Sequence, residues 1–387
     1  MGNKVQGLGT SREGALRTRR VWAEPSLTSL RPLRSVSHLL FALLALIALT
    51  AAVSAQPAAC VVSDLASLRA CIGGAAPGAR ISFARDVACR SAGECCPGGL
   101  ALLRIMGVAG VSIDGNGHTL RREAAQKQCA ALVVRNSPNL TMTNLTFDED
   151  ARAAPCELAD KPCASTFDIG NTKGVLMDRV RVLFGKGYVI RLWTVEDFTF
   201  RRSEVADAGI IGFYAGHFKY GASHRVVLED SRFLRARANG VALQGVDDAV
   251  VLRNRFAGNH WHGLWPVPNI PGGITPGGQL LLGQGTRMTV QDNSFAGNNC
   301  GNCNPSKLVT GLEVGEDAQS PGVKDLRITG NRICNTSPGM SIYHNPGANL
   351  EGAVVSGNRV SGFTGVDNLR GPVTRAGNVI AQGETCP

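Results

Sequence analysis

The sequence predicts an all-β chain, a single-stranded right-handed parallel β-helix of about ten coils with a short capping helix at its N-terminal end. Two observations carry that reading: a module that recurs along the chain and a composition that suits short strands and turns. The module is most legible in Gly240 to Phe256, GVALQGVDDAVVLRNRF. With its closing apolar residue as zero, core-type residues fall at minus seven, minus five and zero, and Asn or Ser falls at minus two.

This template fits six times, closing on Val205, Phe233, Phe256, Phe295, Ile333 and Val360, with Ser203, Ser231, Asn254, Asn293, Asn331 and Asn358 at minus two. Apolar residues two apart share one face of a strand, so minus seven and minus five point inward together. The polar residue at minus two is expected to make the corner, because Asn tolerates left-handed backbone angles. Successive closing residues are 28, 23, 39, 38 and 27 residues apart. That irregularity suits coils of roughly 20 residues with loops of variable length, each burying its apolar face only by stacking on neighbours.

The composition agrees. Of 387 residues 47 are glycine and only 18% are charged, which suits strands and turns rather than long charged helices, and 5% aromatics implies an aliphatic core. The chain carries a net +10; residues 1–55 hold seven basic and two acidic residues, so the remainder carries 33 against 28, a net +5. A mildly basic exported chain points to an anionic polysaccharide partner and away from nucleic acid.

In chain order, His38 to Ala55 is an apolar run behind six arginines and ends in Val53-Ser54-Ala55, the pattern of a signal peptide over residues 1–55 with a long basic front. The alternative is a retained membrane anchor, for which the apolar core is short. All 12 cysteines follow this segment, which predicts disulfides formed in an oxidising compartment, and hence a secreted, extracellular or periplasmic protein. Their pairing is not readable. Cys300-Gly-Asn-Cys303 lacks a second ligand pair, so no metal residues are assigned.

Residues 56–387 form the expected solenoid domain. Ser63 to Ile72 reads as a capping helix with Ser63 as N-cap and Leu65, Leu68 and Ile72 on one face. Arg80 to Val87 reads as an early strand, Cys89 to Gly99 as a cysteine-rich loop, and Asp114-Gly-Asn-Gly as a turn.

The run IDGNGHTL, followed by coils ending in RNRF, DNSF, GNRI and GNRV, resembles the pectin-lyase-like right-handed parallel β-helix superfamily over roughly residues 80 to 380. The resemblance implies the fold, and it implies carbohydrate chemistry without choosing an activity, because that superfamily includes lyases, hydrolases, epimerases, esterases and proteins with no known chemistry. The polygalacturonase pattern is missing apart from the pair in GVDDAV, the C5-epimerase pattern is missing, and no acidic cluster resembles a calcium cage. Calcium therefore stands as the conceivable cofactor with no ligand set, and the cofactor is unknown.

Strands opening after a glycine are expected to place Val189, Arg191, Trp193, Ile211, Phe213, Ala242, Gln244, Trp265, Glu313, Ser341 and Tyr343 outward as a ladder. The loops Gly216 to His224, Pro266 to Gly278 and Gly315 to Lys324 are expected to rise beside it, bringing His217, Lys219, Tyr220, His224, His260 and His262. A uronate lyase needs a cation to neutralise the carboxylate (Arg191 or Lys219), a base (His217, His260 or Lys219) and an acid (Tyr343), and a hydrolase needs two carboxylates, such as Glu313 with Glu316 or Asp317. Trp193, Gln244, Trp265, Tyr220, His260 and His262 are the expected substrate contacts. The structural alternative treats Trp193 and Trp265 as surface packing, the histidines as turn residues and Glu313 as a solvated strand residue.

The function expected is a secreted monomer acting on a polysaccharide, foremost as a lyase of a uronate-containing polymer. The alternatives are a non-catalytic carbohydrate-binding or structural β-helix and a glycoside hydrolase.

Overall fold

In a computed structural model, the residues described are 59–123, 128–149, 164–216, 222–259, 277–296, 309–315, 322–334, 342–344, 349–361, 369 and 371–381. Every strand pairing among them is parallel. One sheet of 11 strands runs from Val87–Cys89 to Val379–Ile380, and each of its strands closes one coil, so the described residues contain eleven coils. A sheet of 20 strands supplies the remaining walls. The positions predicted to point inward do so: Val226, Leu228 and Phe233, and their counterparts in the other five modules, are at most 1% exposed. Among closing residues Phe233, Phe256 and Phe295 stack, with centroids 5.3 and 4.7 Å apart.

The corner is not where the sequence placed it. Left-handed angles occur at minus three, at Arg202, Asp230, Arg253 and Asp292, whereas the minus-two residues are buried. The reason is a hydrogen-bond problem. The bend at minus three removes ladder partners from the N–H of minus two and the C=O of minus five, and both groups are inside. An Asn side chain from the next coil meets both needs. Asn254 Oδ1 accepts from Ser231 N (3.0 Å) and its Nδ2 donates to Leu228 O (2.7 Å). Asn293 Oδ1 accepts from Asn254 N (2.8 Å) while its Nδ2 donates to Val251 O (2.8 Å). Asn331, Asn358 and Asn378 repeat the pattern. Ser203 and Ser231 accept from the N–H alone.

The left-handed corner residues carry their own ladders of alternating charge. Arg225 reaches back to Asp197 and Arg287 to Asp248 at one corner; Arg253 binds Asp230 through two bonds of 2.7 Å at the next; Arg235 binds Asp207 at 2.7 and 2.6 Å at a third. The paired guanidinium holds each of Asp197, Asp230 and Asp248 below the usual carboxylate range.

A helix covers the N-terminal end of the described coils. The capping helix is Leu65–Gly73, and its N-cap is Asp64 rather than Ser63, because Asp64 and Ser67 form a reciprocal capping box. Leu68, Cys71 and Ile72 close the core, and Cys60–Cys71 ties the helix to the first strand. The predicted cysteine-rich loop holds a short helix, Ala92–Cys95, fastened by Cys89–Cys95 and Cys96–Cys129. Cys334 is also disulfide-bonded. These bonds fit an oxidising, extracellular setting. No helix among the described residues is long and apolar enough to cross a membrane. At the other end Arg375 pairs with Val355, in a column otherwise apolar, and its guanidinium donates to the carbonyls of Leu369 and Val373.

Among the described residues a cluster of three charged side chains is sealed inside. Lys186 (1% exposed) shares a chamber with Arg122 (0%) and Glu149 (1%), and Arg122 Nη1 donates to Glu149 Oε2 at 2.8 Å. Burial, aided by the Arg122 charge and opposed by Glu149, lowers Lys186 to about 7; burial raises Glu149 against the pull of Arg122 and Lys186.

Two outcomes are expected. Asn293→Ala strands a buried N–H and a buried C=O and lowers unfolding free energy by about 3 kcal/mol in urea titration, whereas Arg253→Ala, at a solvated ion pair, changes the midpoint far less. Between about pH 7 and the ordinary lysine value of 10.5 the unfolded chain binds a proton at Lys186 that the folded chain has shed. Stability therefore rises with pH across that window, and Lys186→Met flattens the rise in thermal melts.

Candidate functional site

The strands that open each coil stack their outward residues in one column: Arg104, Val133, Asp168, Arg191, Tyr214, Ala242, Leu281, Glu313 and Tyr343. Arg191, Ala242, Glu313 and Tyr343 thus share a ladder, as expected. Phe213 does not belong to it. It is fully buried against Ile190 and Val241, because the strand opens after Gly212 rather than Gly209, and Tyr214 takes the outward place. Val189 is likewise inside and Ile211 is buried with Tyr214.

Two described members of the expected catalytic set stand far apart. Arg191 and Glu313 are four coils apart, about 19 Å at the usual strand spacing, and Glu313 is buried. Glu313 is the direct neighbour of Tyr343. Gln244 is buried beside a register shift opposite Gln284. His217, Lys219, Tyr220, His260, His262 and Trp265 lie outside the described residues, as do Glu316 and Asp317.

Two places do bring chemistry-bearing side chains together. In the first, Asp168 accepts from Arg135 Nη2 at 2.6 Å and from Trp193 Nε1 at 2.9 Å, while the Arg135 guanidinium lies 4.4 Å from the Trp193 ring centroid. The indole fills the space over Gly170, where a Cβ would come within 2.2 Å of the ring. Trp193 is therefore a half-buried element held on three sides. Arg191 projects from the coil next to Asp168.

Around the corner formed by the left-handed Asn136, Asn171 and Thr194 lies the second place, an open groove of about 500 Å³ lined by Lys173, Glu196 and His224. Register continues this row through six coils: Lys173, Glu196, His224, Asp247, Thr286 and Lys324. Asp247 Oδ1 accepts from Thr286 Oγ1 at 2.7 Å, and its Oδ2 faces His224 Nδ1 at 3.5 Å. The charges of the row nearly cancel, so the groove itself has no strong preference for a polyanion.

Sequence reasoning missed Arg135, Asp168 and the Asp247–His224 pair. Arg135 and Asp168 sit in coils that match the template poorly, and Asp247 looked like a turn residue because its partner lies 23 positions away. No group of three metal-ligating side chains occurs among the described residues.

The parallel registers, the continuous core and the corner ladders define a right-handed parallel β-helix. Residues 188–372 match the family described as the right handed beta helix region. No curated protein matches the chain. Similar solved structures include the surface adhesin PfbA of Streptococcus pneumoniae, 12% identical with a TM-score of 0.46, covering 80% of this chain and 85% of that one. An alginate lyase from Paenibacillus is 14% identical with a TM-score of 0.42, covering 84% and 98%. The catalytic unit of an alpha-1,3-glucanase from Streptomyces thermodiastaticus is 13% identical with a TM-score of 0.48, covering 80% and 59%.

Gly170→Ala is expected to displace the indole and destabilise the fold by about 2 kcal/mol. The added Trp193→Ala change should remove most of that penalty, which a double-mutant cycle in urea reads directly.

Proposed function

We propose that the chain binds a polysaccharide in the groove lined by Lys173, Glu196 and His224, with the glycan laid across successive coils. The observation that carries this reading is the groove itself, a cleft open to solvent on rigid strands and lined by hydrogen-bonding side chains from three adjacent coils. A site extended along a rod suits a polymer better than a small molecule. Lys173, Glu196 and His224 supply donors and acceptors, and the exposed Thr194 lies at the rim.

A catalytic reading has one specific observation in its favour, the Thr286–Asp247–His224 row, which sets a carboxylate 3.5 Å from an imidazole that lines the groove. In it His224 removes the C5 proton of a uronate residue. Lys173, the groove cation available to neutralise that carboxylate, stands two coils away, about 10 Å, with Glu196 between them. Binding is thus what the described geometry supports best, and β-elimination stands second. Hydrolysis by Glu313 with Glu316 or Asp317 has no support from the described residues.

Calorimetric titration with neutral and uronate-containing oligosaccharides tests the site. His224→Ala and Glu196→Gln should each weaken binding by about tenfold, the loss of one or two good hydrogen bonds. Wild-type affinity in both variants would rule the groove out. Ultraviolet absorbance of an unsaturated uronate product, present in the wild type and lost in His224→Ala, would promote the lyase reading.

A further inference from the structure

The two ends of the groove are built differently. Asn136, Asn171, Thr172 and Lys173 line the end nearest the N-terminal coils, all from two adjacent coils, and each of these side chains offers a hydrogen-bond donor. Glu196 follows in register one coil on, then His224, then Asp247. Donors lead the row and carboxylates follow.

Thr172 carries the sharpest signal. It is 8% exposed, and its hydroxyl is buried with no hydrogen-bond partner. The neighbouring corner hydroxyls are used. Ser137, which like Thr172 follows a left-handed Asn, accepts from Val108 N at 3.2 Å and donates to Arg135 O at 2.9 Å, and Ser223 accepts from Val195 N at 3.2 Å. Buried polar groups in folded chains are paired, so an open one calls for a partner from outside the fold. Of the buried hydroxyls without a partner among the described residues, only Thr172 lines the groove. Lys173 stands beside it, exposed and in no ion pair among the described residues, because the nearby Asp197 is taken by Arg225.

We propose that this end of the groove is a carboxylate subsite, in which the Thr172 hydroxyl and the Lys173 ammonium donate to the carboxyl group of one uronate residue while neutral sugars lie over the coils that follow. The inference rests on the reading of the groove as a polysaccharide site, and it names the class of polymer: a mainly neutral glycan whose uronate residues are set apart, not a continuous polyuronate. Charge sets that limit. Glu196 stands one strand spacing from Lys173, about 4.8 Å, and Asp247 two coils beyond Glu196. A second carboxylate over either meets a like charge, whereas a sugar hydroxyl donates to it. Arg225 does not relieve the repulsion at Glu196, since it is shared with Asp197. A uronate held at Lys173 is also two coils from His224, which fits retention of the sugar rather than elimination.

Calorimetric titration of the full chain with three ligands tests this: a tetrasaccharide of neutral sugars with one glucuronate, its carboxyl-reduced counterpart, and tetragalacturonate. The wild type is expected to bind the single-uronate ligand about tenfold more tightly than the reduced one, and tetragalacturonate no more tightly than the single-uronate ligand. Lys173→Met and Thr172→Val should each erase most of that preference, and Lys173→Arg should keep it. Thr172→Val should melt at the wild-type temperature, because removing a hydroxyl that has no partner takes no bond from the fold. An equal affinity of the wild type for the single-uronate ligand and its reduced form, an unchanged preference in both variants, or tighter binding of tetragalacturonate would each overturn the subsite while leaving the groove reading in place. A lowered melting temperature in Thr172→Val would show that the hydroxyl braces the fold, and would overturn its assignment. Failure of the wild type to bind any of the three would remove the groove reading and the subsite together.

Discussion

Everything in this rod depends on one hydrogen-bond constraint, that a chain turning a corner inside a stack of coils must satisfy the backbone groups the corner strands. The buried asparagines solve it. Each carboxamide accepts from an amide and donates to a carbonyl of the preceding coil, and the row runs from Asn254 to Asn378 without a break. Because each side chain serves its neighbour rather than its own coil, the ladder fixes coil registry as well as stability. Ser203 and Ser231 satisfy only one of the two groups.

Registry, in turn, is what makes a site. A groove whose residues come from positions 173, 196, 224 and 247 exists only because consecutive coils superpose those positions within one strand spacing of each other. The same is true of the cluster in which Arg135, Asp168 and Trp193 meet from three coils. Loop length between coils is then free to vary without disturbing either, which is why a template with irregular steps still builds a straight wall.

The charge distribution follows the same geometry. Several corners alternate in sign, and their bidentate pairs help hold left-handed angles that glycine alone would adopt without strain. The groove is close to neutral. Arg232, Arg255, Arg332 and Arg359 stand on a different wall. An overall charge, even one correctly counted, does not say which surface carries it.

The sequence by itself determined the inward positions at minus seven, minus five and zero, the helical N-terminal cap, the coil count to within one, and the column shared by Arg191, Glu313 and Tyr343. All of these follow from strand alternation and helix capping, which are local. Only the tertiary structure decided that Asn at minus two is an internal brace rather than a corner, that Tyr214 and not Phe213 faces outward, and that His224 meets Asp247 while Arg191 and Glu313 stay about 19 Å apart. The physical reason is that a coil's neighbours along the rod lie some 20 to 40 residues away in sequence, and a one-residue shift in where a strand opens exchanges its inside for its outside.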